Sequence, residues 1–129
     1  MKKFSTHWKS SKKPRKQRKY LANAPLHIRK DFISSHLSKE LRKKFKTRNI
    51  PLRKGDRVKI MRGEFKGKIG KIADVDKKEI KVFIEGIETV KKDGSKSSFP
   101  LHPSNLLITE LNLDDKYRKE KIQKFEIKK

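Results

Sequence analysis

Between Arg57 and Asp76 the chain reads RVKIMRGEFKGKIGKIADVD, which sets Arg62, Lys66, Lys68 and Lys71 around Gly63, Gly67 and Gly70. Cations at this spacing neutralise the phosphates of a polyanion and release its counterions. Glycines beside them permit positive φ or close approach of the backbone, so that amide N–H groups reach phosphate oxygens. A second concentration lies at the start of the chain, where Lys2, Lys3, Lys9, Lys12, Lys13, Arg15, Lys16, Arg18 and Lys19 are interrupted by Phe4, Trp8 and Tyr20. An aromatic side chain in a basic segment can stack on a base or a sugar. For Trp8 two roles compete: that contact, or packing on the protein's own domain. Arg29, Lys43, Lys44, Arg48, Arg53 and Lys54 extend the cationic set towards the glycine-rich stretch. The chemistry these residues offer is anion recognition by charge and shape.

Other chemistry finds little footing. His7, His27, His36 and His102 are scattered, without metal-ligand spacing. Cysteine is absent, which removes disulfides, thiolate metal sites and thiol nucleophiles together. Asp56, Glu64, Asp74, Asp76, Glu79, Glu85 and Glu88 are expected at strand ends and in loops, where they balance lysines. No phosphate-binding Walker loop and no nucleophile elbow is present. The expectation is a protein that is not an enzyme and has no metal, no cofactor and no small-molecule substrate.

The chain has 129 residues and a formal net charge of +23, with 41% charged and 32% hydrophobic residues. That allows one small domain with extensions. A charge of this size repels itself and calls for an anionic partner, of which nucleic acid is the commonest. No apolar run approaches the roughly 18 residues of a membrane span, and the N-terminus lacks a signal peptide's apolar stretch, so a soluble intracellular protein without a membrane partner is expected. The excess is uneven: residues 1–54 carry +17, residues 55–111 carry +3 and residues 112–129 carry +3. The middle is nearly balanced, as a folded body should be.

Four segments must position the cations. Residues 1–22 are almost without aliphatic side chains, too few to assemble a core, and read as a basic extended arm, disordered until bound. Residues 23–54 read as short helices: Asn23 and Pro25 open the first, SS at 34 and 35 interrupts, and Ser38 caps a second that turns Leu41 and Phe45 inward. In residues 55–111 the period changes to two, with Val58 and Ile60, then Ile80, Val82 and Ile84, alternating with polar neighbours. Short strands separated by turn signals predict a mainly β fold, a small antiparallel barrel. Phe65 would either plug its end or stack on a base, while Gly70 would relieve crowding where strands coil. Residues 112–129 read as one C-terminal helix capped by Asn112, with Asp114 and Asp115 in its first turn; its thin apolar face predicts that it leans on a partner or frays.

Basic and apolar alternation, a glycine at the tight turn and then GKIGKI, over about residues 55–82, resemble the KOW motif of ribosomal proteins and transcription elongation factors. That resemblance implies an SH3-like barrel. The flanks, NAPLHIRKDFISSHLSKELRKKFKTRNIPLRKGDRVKIMRG and HPSNLLITELNLDDKYRK, resemble the universal large-subunit ribosomal protein L twenty-four family in its archaeal and eukaryotic branch, over roughly residues 14–120. The resemblance implies a cytoplasmic constituent of the large ribosomal subunit. It would bind the 5′ region of the large rRNA early in assembly, lie near the peptide exit tunnel and contact neighbouring ribosomal proteins. It also implies an RNA-facing loop at HPSN, with His102, Ser104 and Asn105 as donors; by composition alone the same residues close a turn through a local side-chain bond. The alternative is a KOW-type transcription elongation factor contacting polymerase or nascent RNA.

Overall fold

A computed structural model describes residues 4, 5, 7, 8 and 10–127; Lys2, Lys3 and Lys9 lie outside the described residues. Alternation builds the sheet as expected. Val58 and Ile60 of β3 (Arg57–Ile60) and Val82 and Ile84 of β5 (Lys81–Ile84) point inward, fully buried, while Arg57 stays in solvent. β4 (Ile69–Asp76) runs antiparallel to both. β8 (Leu106–Glu110) pairs with the other side of β3 and buries Leu106 and Ile108. Each such aliphatic side chain contributes about 1.5–3 kcal/mol on burial.

The SS interruption proves to be a strand, β1 (Ser34–Leu37), paired with β2 (Asn49–Pro51). The six-stranded order is β2-β1-β8-β3-β4-β5, and a bridge from Val82 to Leu101 curls its end back towards the segment that leads into β8. The fold is the small, mainly β, barrel-like body expected, with one difference: β1 runs parallel to β8, so the sheet is mixed rather than wholly antiparallel. A separate hairpin, β6 (Glu88–Val90) with β7 (Lys96–Ser98), stands off the body with every residue of β6 exposed.

The helices follow expectation in part. Ser38 caps α3 (Lys39–Phe45) by accepting from the Leu41 amide, and Phe45 is buried. α2 (Leu26–Phe32) starts after Pro25, with no side-chain cap from Asn23. The basic arm is not extended throughout: Pro14–Asn23 form α1. Proline in the first turn and a run of Arg, Lys, Gln, Leu and Ala supply good helix formers, and charge does not cancel that propensity. α4 (Lys116–Ile127) begins four residues after Asn112. Asp115 caps it instead, accepting from the Tyr117 amide at 3.0 Å, while Asn112 accepts from Asp114 in a turn. α4 packs on the body through Arg118 and Ile122, both buried.

Candidate nucleic-acid interface

The β3–β4 connection is shaped by two glycines in the left-handed region, Gly63 at φ 89° and Gly67 at φ 90°. Neither would meet a neighbour if it bore a Cβ, so conformation alone selects glycine there. Gly70 is a different case. Its added Cβ would come within 2.5 Å of Ile84 Cγ2 and 3.1 Å of the Glu85 carbonyl, so the expected crowding is real. Phe65 takes the plugging role, its ring 5.2 Å from Phe99 against the core, with Lys68 Nζ 5.0 Å above it. The expected amide route to phosphate is corrected for three residues. The Lys66 amide donates to Gly63 O, that of Gly67 to Ile60 O and that of Lys68 to Phe65 O. The glycines therefore shape the turn, and the exposed Arg62, Lys66, Lys68 and Lys71 carry its charge.

The HPSN segment sits at the same end of the body. The Met61 amide donates to Asn105 O at 2.8 Å, and the buried Ser35 hydroxyl donates to Pro103 O. Pro103–Asn105 form a single 3₁₀ turn capped by His102, whose Nδ1 accepts from the Ser104 amide at 3.2 Å and lies 2.7 Å from Ser104 Oγ. So the local turn-closing bond is made, while His102 and Ser104 remain exposed. Burial and the nearby positive Lys81 push the imidazole below its ordinary value. The neutral ring is the form that accepts from an amide.

α1 is held at the opposite end of β4. Tyr20 packs on Phe32 of α2, and Arg29 donates to the carbonyls of Ala24, Ala22 and Lys78, the last in the β4–β5 turn. Arg29 thus holds α1 and α2 on the body through three of its five N–H groups. The eight residues of β4 separate this end from the glycine loop by about 25 Å. On α1, Arg15, Lys16, Arg18 and Lys19 occupy one side, exposed, with Lys12 and Lys13 exposed just before it. Trp8 packs within the protein, its ring 4.8 Å from that of Tyr20.

Lys43 and Lys44 are exposed on α3, Lys44 lying 5.3 Å from the Phe45 ring centre, and Arg48 is exposed before β2. Arg53 and Lys54 join a third group. They line a cleft of about 970 Å³ between β2, β4 and α4, together with Lys30, Lys77 and Lys121, which the sequence did not single out. Asp31, Asp74, Asp114 and Asp115 share that cleft, so its charge is mixed. The Arg53 guanidinium bonded to Asp115 holds that carboxyl below the usual range. Lys30, Lys77 and Lys121 come from separate parts of the chain, and no spacing announces their convergence.

Among the described residues, ion pairs engage Arg53, Arg57, Lys96 and Arg118. The cations of α1 and of the glycine loop have no carboxylate partner there. No described helix is long and apolar enough to cross a membrane.

Residues 11–124 match the family model described as ribosomal proteins L twenty-six (eukaryotic) and L twenty-four P (archaeal). Among curated proteins, the chain is 49% identical over 114 residues to the large ribosomal subunit protein uL24 of Methanosphaera stadtmanae, an alignment covering 88% of this chain and 97% of that relative.

Proposed function

The chain belongs to this family of ribosomal proteins, L twenty-six in eukaryotes and L twenty-four P in archaea, and from that premise we propose that it is a structural constituent of the cytoplasmic large ribosomal subunit that binds rRNA. The observation that carries the reading is the set of cations at the two ends of β4 that have no carboxylate partner among the described residues. One set lies on a helix with no buried residue, the other on and beside a loop in which the amides of Lys66, Gly67 and Lys68 are satisfied internally. Such groups contribute little to the fold and are placed for an external polyanion. Two cationic ends about 25 Å apart suit a folded RNA contacted at two separated backbones better than one strand in one groove. Recognition is then by phosphate and shape, with little reading of base sequence.

In the finer reading, the RNA is the 5′ region of the large rRNA, bound early in assembly, near the peptide exit tunnel and beside neighbouring ribosomal proteins. Neither comparison favours the transcription-factor alternative. Binding of the purified chain to a 5′ fragment of large-subunit rRNA, measured between 50 and 200 mM salt, tests the proposal. With six phosphate contacts, affinity falls about a thousandfold over that range. Affinity nearly flat with salt would overturn it. A chemical footprint on the whole rRNA tests the location, and protection confined to regions outside the 5′ part would overturn that portion.

A further inference from the structure

Along α1, Lys16, Lys19, Tyr20 and Asn23 fall at i, i+3, i+4 and i+7, one stripe of a helix. With Phe4 and Trp8 they line a cleft of about 230 Å³. Tyr20 stands at its centre, 5.0 Å from the Phe4 ring at an interplanar angle of 40° and 4.8 Å from Trp8 at 37°. Its contact with Phe32, at 5.8 Å, fixes this aromatic wall to α2. The tilted rings leave a wedge rather than a closed stack, and Phe4, Trp8 and Tyr20 all remain partly exposed. Aromatic rings pack in cores too, but here they stand partly exposed beside exposed lysines. The cleft offers π faces, two ammonium groups and an amide.

We infer that this cleft takes one unpaired nucleotide of RNA. Its base lies against the rings of Tyr20 and Trp8, its phosphate meets Lys16 and Lys19, and Asn23 presents both a donor and an acceptor to the base edge. The size admits one base with its ribose, and two cations over aromatic faces complement a nucleotide's anionic and planar parts together. The inference rests on the rRNA-binding reading and deepens it. To a mode governed by phosphate and shape it adds one place that discriminates unpaired from paired RNA.

Trp8 is the chain's single tryptophan, so its fluorescence reports this cleft alone. The full chain is titrated at one ionic strength with an unstructured RNA 12-mer, with a fully paired RNA duplex of equal phosphate number and with inorganic polyphosphate. The 12-mer is expected to quench Trp8, while the duplex and polyphosphate bind without quenching. Equal quenching by all three, or none by the 12-mer, would overturn the site. In Tyr20→Leu, which keeps an apolar contact to Phe32, affinity for the 12-mer is expected to fall about tenfold, with polyphosphate affinity unchanged. Parallel losses for both ligands, or no loss for either, would show that Tyr20 serves the fold only. If the chain bound neither RNA, the rRNA reading itself would fall and this site with it; if it bound both without discrimination, only the site would fall.

Discussion

Arg118 of α4 grips Asp56 with both ends of its guanidinium, Nη1 to Oδ1 at 2.5 Å and Nη2 to Oδ2 at 2.7 Å, and both side chains are buried. Asp56 is satisfied further by the amides of Arg53 and Asn112, each at 2.9 Å. Arg118 also donates to the carbonyls of Asn112 and Pro51. One bidentate pair thus ties the start of β3, the end of β2 and the entry to α4 into a single polar knot. This arginine belongs to the fold, unlike most cations of the chain.

Truncating it leaves the Asp56 carboxylate buried without its countercharge. Arg118→Met is expected to lower unfolding free energy by about 3–5 kcal/mol. Arg118→Lys, which keeps the charge but not the two-pronged geometry, should fall between it and the parent chain. Glu120→Ala, on the exposed side of α4, should change little. Urea denaturation followed by far-UV circular dichroism checks all three, and equal behaviour of Arg118→Met and Glu120→Ala would refute the knot.

The glycines separate by mechanism. Gly67→Ala meets no atom, so it costs only the left-handed conformation, about 1–2 kcal/mol. Gly70→Ala drives its methyl into Ile84 Cγ2 and should cost about 1–3 kcal/mol. Ile84→Ala removes that methyl, so the Gly70→Ala/Ile84→Ala pair should cost less than the sum of its parts, whereas Gly67→Ala adds independently. A double-mutant cycle on denaturation midpoints reads this directly.

Much of the body was legible because alternation and capping are local. Val58, Ile60, Val82 and Ile84 declare their faces by period, and Ser38 declares its helix by position. What was missed depends on distance or on competing signals. The parallel partner of β1 lies about 70 residues away, at His36 opposite Leu107, and no local pattern encodes that. Arg118 looks like any other cation in KYRKEK until the fold brings Asp56 beside it. α1 carried helix-forming residues throughout, yet its charge suggested an extended arm. For the candidate site, sequence placed the cations but not their division between two ends of β4, because that separation is a property of the barrel.

His102 supplies a pH signature. Burial, with Lys81 nearby, pushes the folded ring below the ordinary value of about 6.5 at which the unfolded chain takes up its proton. Above that value both states are neutral and nothing is lost. As pH falls through it, the unfolded chain protonates first and stability declines, until the folded ring protonates too and the loss stops. His102→Asn keeps an acceptor for the Ser104 amide without a titrating ring. Its urea midpoint should therefore fall less between pH 7 and pH 5 than that of the parent chain, and identical declines would exclude His102 as the source.

The cations before and on α1 can be removed without touching the core, because that helix buries no residue. Lys12, Lys13, Arg15 and Arg18 are all exposed, and alanine at these positions does not lower helix propensity. The fourfold alanine variant should unfold at the same temperature as the parent chain, within about a degree if none of the four makes a native contact. Its rRNA affinity should fall, and the slope of log affinity against log salt should flatten by about 3 units if each cation meets a phosphate. Replacing Arg62, Lys66, Lys68 and Lys71 instead should flatten the slope by a similar amount, since these four lie at the other end of β4 and act independently. Combining both sets should then sum the two effects. A combined variant no weaker than either alone would mean that only one end meets RNA, and the two-ended arrangement would have to be abandoned.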